Sequence, residues 1–184
     1  MRRTVLSLLL LCLVATPVAA ETSFQFSLAG GQLPVDTDVN GFRLAILYGK
    51  NTRVYGVDLG LASFSETDRS SGFSMIWGIG KVTGRCSGLA SAFVNVHEGE
   101  DESVNAAFVN SVRTQKSGAN IGFINVTEGY SNVDISGIGI SKESNVQVGF
   151  VNITGRINNL QIGFLNFADN GFFPVFPFFN FPKD

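Results

Sequence analysis

Chemistry in this chain would have to begin at His97, its only histidine. His97 sits beside Glu98, Glu100, Asp101 and Glu102. A lone imidazole among acids hints at a divalent-cation site. Calcium loops, however, space Asp or Asn at alternate positions and close on Glu, and that order is missing here. Zinc needs several His or Cys ligands, and beyond residue 20 the chain has only His97 and Cys86. A Ser/His/Asp triad would require His97, and no nucleophile elbow accompanies it. No Gly-rich phosphate loop opens a helix. Two carboxylates meeting on one face, as in glycoside hydrolases, are left open by the sequence. The expectation is a solvated acidic loop at residues 97–103, with no catalytic, cofactor-binding or metal residues and no cofactor. Cys86 cannot form an internal disulfide alone and is expected as a buried small hydrophobe.

The stretch that must position these residues is an eight-residue phrase written repeatedly. VQVGFVNI (146–153) and LQIGFLNF (160–167) are the clearest copies, followed by ANIGFINV (119–126). VNAAFVNS (104–111) and LASAFVNV (89–96) are looser, VDISGIGI (133–140) is degenerate, and PVFPFFNF (174–181) closes the series. Weaker copies start at 42, 57 and 73. From 89 onward the steps are 13 to 15 residues. A fixed period of this kind marks a repeat architecture.

Positions 1 and 3 of the phrase are apolar, 2 is polar or small, and 4 is mostly Gly or Ala. Position 5 is mostly Phe, 6 is Val, Ile or Leu, and 7 is mostly Asn. A straight strand would put 1, 3, 5 and 7 on one face, mixing Asn with Val and Phe. A bend at position 4 relieves the conflict, since Gly tolerates corners. Two short strands then meet at a corner, and the polar connector forms a third side. Stacked coils would lay Phe on Phe and align Asn95, Asn110, Asn125, Asn152, Asn166 and Asn180 as an amide ladder. Asn125-Val-Thr127 and Asn152-Ile-Thr154 match a glycosylation pattern but fall on that ladder position. Trp77 takes the place of Phe at position 5. With Tyr48, Tyr55 and Tyr130 it suggests a glycan platform, but core filling is the favoured expectation.

The fold expected is all-β: a β-solenoid of about ten 13–16-residue repeats with N- and C-terminal caps. Ten coils at ~4.8 Å would run on the order of 45–50 Å. Residues 21–41 are expected to form an N-terminal cap strand and loop, 42–181 the repeats and 182–184 a tail. Pro174 and Pro177 should block the last edge. The alternative is an antiparallel β-barrel or meander, disfavoured by eight-residue phrases and by those prolines.

Residues 1–20 read as a secretory signal peptide. Arg2 and Arg3 precede a short apolar run, and Val18-Ala19-Ala20 offers a cleavage site before Glu21. Export through the inner membrane to the outer membrane, cell surface or periplasm is expected. After removal, 11 basic residues face 15 acidic ones, a net charge of −4. That mild acidity argues against a nucleic-acid partner.

Leu160-Gln-Ile-Gly-Phe-Leu-Asn166 is similar to the repeat of a bacterial surface-repeat protein family, whose copies resemble Gly-Leu-Gln-Ile-Gly-Leu-Val-Asn-Val. Leu47-Tyr-Gly-Lys-Asn51 resembles the segment preceding that repeat. The likeness covers residues 41–181. Phe replaces the commoner Leu, and 133–140 departs from the pattern. The resemblance implies an exported envelope protein and supplies no catalytic residues. The function expected is therefore a non-enzymatic envelope or surface repeat protein with a structural, adhesive or interaction role, with outer-membrane or envelope components as candidate partners. The alternatives are an integral outer-membrane β-barrel and a carbohydrate-active enzyme on a solenoid.

Overall fold

A computed structural model describes residues 21–35 and 38–183. The leader expected at 1–20, and residues 36–37 of the expected polar loop, lie outside the described residues. The strands follow in order: β1 (Thr22–Leu28), β2 (Gly31–Leu33), β3 (Asp38–Gln115), β4 (Ala119–Ala168) and β5 (Val175–Asn180). Asp38 to Gly41, expected in a loop, already belong to β3.

β3 has 78 residues and β4 has 50, far beyond the ~5–6 of an ordinary strand. They are that long because they wind. Val104 pairs in parallel with Ala119, and Val112 with Thr127, one coil of 15 residues later. Phe24 pairs with Phe42 and Leu28 with Ile46 in the same sense. Parallel coils stacked in register make a β-solenoid, and neither the antiparallel barrel nor the meander forms. Most connectors are strand as well; the one at 116–118, between β3 and β4, is not.

Both ends carry caps. At the N-terminus β2 folds back antiparallel on β1, with Phe26 opposite Leu33. At the C-terminus residues 174–181 do not add a final parallel coil. β5 runs antiparallel to β4, with Gln161 opposite Asn180 and Gly163 opposite Phe178. The parallel winding therefore contains fewer than the ten repeats expected. Pro177 falls where the β4–β5 register shifts, the irregular position at which a sheet tolerates proline.

The interior is polar. From coil 89 onward, phrase positions 2 and 7 and the residue after position 8 point inward, joined by one or two connector residues. Position 7 holds Asn95, Asn110, Asn125, Asn152 and Asn166, all essentially fully buried. Asn95 Nδ2 donates to Asn110 Oδ1 (3.1 Å), Asn110 to Asn125 (2.9 Å) and Asn152 to Asn166 (2.8 Å). The same amides reach the corner of the next coil: Asn110 donates to the Ile121 carbonyl (3.0 Å) and Asn152 to that of Ile162 (2.9 Å). The expected ladder is thus formed, and it also satisfies backbone carbonyls exposed by the bend at position 4. Asn180 departs from it, bonding the Phe173 carbonyl (3.0 Å) instead. Position 2 supplies a second column, with Asn105 donating to Asn120 (2.9 Å) and Gln161 to Gln147 (2.8 Å).

Outward positions carry the apolar side chains, so the expectation of aromatic core filling is overturned. Trp77 is 68% exposed and Phe93 62%. Phe–Phe stacking does occur, but on the outside: Phe93, Phe108 and Phe123 stack at 5.4 and 5.2 Å, and Phe150 on Phe164 at 5.1 Å. The reason is space. A coil of 13–15 residues encloses only a narrow channel, which amides fill and aromatic rings would not. Gly122 and Gly163 show how tight the corner is. A Cβ at Gly122 would sit 2.5 Å from the Ala107 carbonyl oxygen, and one at Gly163 2.2 Å from that of Gly149.

A second corner precedes each phrase. Gly41, Gly56, Gly72 and Gly88 stack there, all with positive φ (149°, 121°, 115° and 101°). A Cβ at Gly56, Gly72 or Gly88 would lie 2.2–2.3 Å from the carbonyl oxygen of the glycine one coil below. Further along, the column changes chemistry. Asn145 Nδ2 donates to Asn132 Oδ1 (3.4 Å) and Asn159 Nδ2 to Asn145 Oδ1 (2.6 Å).

Ordinary core logic is therefore inverted, and mutants should show it. Asn110→Ala removes the acceptor of Asn95 and the donor to Ile121, and should cost on the order of 2–4 kcal/mol. Phe108→Ala, at a half-exposed position, should cost less than about 1.5 kcal/mol, mostly lost stacking. Urea unfolding of both variants checks the order. A costlier Phe108→Ala would show that the rings, not the amides, carry the stability.

Candidate functional site

His97 and Asp101 are not in a solvated loop. They are 3% and 0% exposed, because both fall on inward positions of their coil. His97 Nδ1 contacts Asp101 Oδ2 directly. Asp101 also accepts from the Ser103 amide (2.8 Å), the Ser103 hydroxyl (2.6 Å) and Asn105 Nδ2 (2.8 Å). Burial alone would lower the His97 pKa, but the Asp101 carboxylate and Cys86 outweigh it and raise it to about 10. For Asp101, burial pushes the pKa up, yet His97 and Ser103 hold it below the ordinary value. The result is a closed imidazolium–carboxylate pair inside the rod. The Nδ1–H of His97 is donated to Asp101 Oδ2 rather than to solvent. Cys86 is buried beside it, packed with Val82 and Ala90, as a small hydrophobe is expected to be.

The neighbouring acids behave differently. Glu98 and Glu100 face outward and meet cations on adjacent coils: Lys81–Glu98 at 3.0 Å and Lys116–Glu100 at 2.7 Å. Lys50–Glu66 (2.9 Å) and Arg85–Glu102 (2.6 Å) repeat the arrangement. The connector side is thus a surface of alternating sign over these coils. Among the described residues, no three His, Cys, Asp or Glu side chains are grouped to hold a metal ion.

Three buried charges were not legible in the sequence. Arg43 and Asp58 form a pair inside the first coils, with Nε–Oδ1 at 2.8 Å and Nη2–Oδ2 at 2.5 Å. Arg43 also donates to Asn51 (2.8 Å). The third charge is Asp134, in the degenerate coil. Gly139 replaces the ladder Asn there, and Asp134 takes over its place, accepting from Asn125 Nδ2 (2.6 Å) and Ser136 Oγ (2.9 Å). Its Oδ2 and the Oδ1 of Asn152, in the next coil, have no hydrogen-bond partner. Burial pushes the Asp134 pKa up to about 6, against the lowering from Asn125, Ser136 and Gln147.

An apolar flank runs along the phrase side. Trp77, Phe93, Phe108, Phe123, Phe150 and Phe164 project from it, flanked by Ile121, Ile135, Ile153 and Ile162. A notch opens in it between Trp77 and Phe93, floored by Gly78, Ser91 and Ala92. The signal for this flank was present in the sequence: charges occur in connectors and hardly ever in phrases. Asn125 and Asn152, which match the glycosylation pattern, are fully buried ladder residues. No family model matches this chain, and neither the curated proteins nor the solved structures compared with it contain a match.

Two measurements test the buried charges. The His97 pKa lies above the ordinary 6.5, so its pair stabilises fully below about pH 6.5 and loses that contribution as pH rises through about 10. NMR of the ring nitrogens should therefore show an imidazolium at pH 8, and a neutral ring at that pH would refute the pair. Asp134 has the opposite effect for an acid. Its raised pKa means the folded protein holds an extra proton between about pH 4 and 6, so stability falls across that window and the penalty persists above it. Asp134→Asn, which copies Asn105 and Asn120, should stabilise at pH 7 by on the order of 2 kcal/mol and flatten the pH dependence. An unchanged melting temperature at pH 7 would contradict this.

Proposed function

We propose that this chain is an exported, non-enzymatic envelope or surface repeat protein with a structural or interaction role. The observation that carries the proposal is the division of the rod's surface. One side is a continuous apolar flank, and the other is a lattice of ion pairs between coils. The polar groups of the interior bond one another: amides bond amides from coil to coil, and His97 is closed onto Asp101 within its own coil. A rigid stack with such a flank is suited to contact, not turnover. The leader-like residues 1–20 and the resemblance of 160–166 to surface repeats support the same assignment.

A carbohydrate-active enzyme on a solenoid would need neighbouring free carboxylates on an outer side. The cation partners of Glu66, Glu98, Glu100 and Glu102 disfavour it. Cell fractionation with intact-mass measurement tests the proposal. The expected product begins at Glu21 and is recovered outside the cytoplasm, in the envelope or at the surface. A cytoplasmic protein retaining residues 1–20 would overturn it.

A further inference from the structure

The phrase side is unusual in what it lacks. Across the phrases starting at 42, 57, 73, 89, 104, 119, 133, 146 and 160, the only Asp, Glu, Lys or Arg residues are Arg43, Asp58 and Asp134. All three point inward and are buried. The outer surface of nine successive phrases therefore carries no formal charge from these residues. Soluble monomers rarely expose an apolar patch above a few hundred Å². Half-exposed Phe rings of about 200 Å² each put the stripe of five Phe residues alone on the order of 500 Å², before Trp77 and the isoleucines are added.

We propose that this flank docks in the acyl-chain region of a lipid bilayer, with the rod lying flat on the membrane. The proposal rests on the envelope assignment above only for where the membrane is met. Three features select lipid over a protein partner. The flank is convex: apolar positions 1 and 3 lie before the bend at position 4, and 5, 6 and 8 lie after it. A second copy of the chain would cover one side of that corner and leave the other wet, whereas fluid acyl chains cover both. Where the phrase at 104–111 meets that at 119–126, the flank's backbone is satisfied by parallel coil-to-coil pairing, which hydrocarbon demands. The notch between Trp77 and Phe93 is mostly apolar, lined also by Ile76 and Ala92.

Spanning is excluded by the opposite side. Lys50–Glu66, Lys81–Glu98, Arg85–Glu102 and Lys116–Glu100 join neighbouring coils between residues 50 and 116, and each would have to leave water. The rod therefore floats with its ion-pair side in solvent. Since the buried side is uncharged, binding should not depend on anionic lipid or on salt.

Trp77 is the only tryptophan of the chain and stands on the flank, so it reports the contact directly. The test mixes the purified protein with dioleoylphosphatidylcholine vesicles, with and without brominated acyl chains. The expected result is a blue shift of Trp77 emission and quenching by bromine, both unchanged in high salt. The double variant Phe123→Glu and Phe150→Glu, at two solvent-facing positions, should lower partitioning more than ~100-fold, while Lys116→Glu should leave it unchanged. Trp77 emission that ignores vesicles would overturn the proposal. A blue-shifted Trp77 without lipid, together with a dimer mass in sedimentation, would overturn it in favour of self-association. Quenching by lipid in a protein found in the cytoplasm would leave the docking intact and sink the envelope assignment alone, so the two failures are separable.

Discussion

The structure depends on one interaction: the hydrogen bond from an inward amide to the same amide one coil later. Asn95 to Asn110 to Asn125 is its clearest run. Each bond does two things. It ties neighbouring coils along the axis, and through the second amide hydrogen it caps a corner carbonyl such as that of Ile121. An unpaired buried amide costs roughly 1–3 kcal/mol, so the same side chains would be a liability in any other register. The ladder therefore fixes register as well as strength. A slip by one residue would turn the amides outward and leave the corner carbonyls bare.

Everything outside the channel follows from that choice. A narrow coil filled with amides has no room for Phe, so the large apolar residues are displaced to the outer side. They are not idle there, since stacked rings 5.1–5.4 Å apart bind coil to coil. The cost is an exposed hydrocarbon surface that ordinary soluble proteins avoid. The connector side carries the compensating polarity, and its ion pairs also join one coil to the next. Three parallel ladders of different chemistry thus run along one rod: amides within, rings on one flank, charges on the other.

Where the phrase degenerates, the chemistry is repaired rather than abandoned. Gly139 deletes a ladder amide, and the Asp134 carboxylate accepts the Asn125 hydrogen bond in its place. The repair is incomplete, since Asn152 Oδ1 is left without a partner. A carboxylate buried in the channel resists ionisation, which explains its raised pKa. Toward the N-terminus the solution differs again: Arg43 and Asp58 neutralise each other inside the channel. Buried pairs of this kind are weak evidence for stability but costly to break.

The sequence by itself determined the repeat, the all-β class, the ladder of Asn residues and the need for caps. These are periodic or compositional facts, and a 13–15-residue spacing of Phe and Asn leaves few ways to stack them. Ring stacking at position 5 was legible for the same reason. Which side of the strand faces inward was not. Alternation says that positions 2 and 7 differ from 1, 3 and 5, but the habit of placing Phe inside and Asn outside gives the wrong answer here. Only the closed coil, with its limited cross-section, decides that amides go in and rings go out. The same closure moved Trp77 to the surface and carried His97 and Asp101 from a supposed solvent loop into the channel. It also brought Arg43 to Asp58 and Asp134 to Asn125, pairs whose meeting depends on the winding and not on any local signal. The direction of the last strand was decided by tertiary structure too: with prolines at 174 and 177 and a free coil edge to cover, the phrase at 174–181 turns back antiparallel although its letters match the repeat.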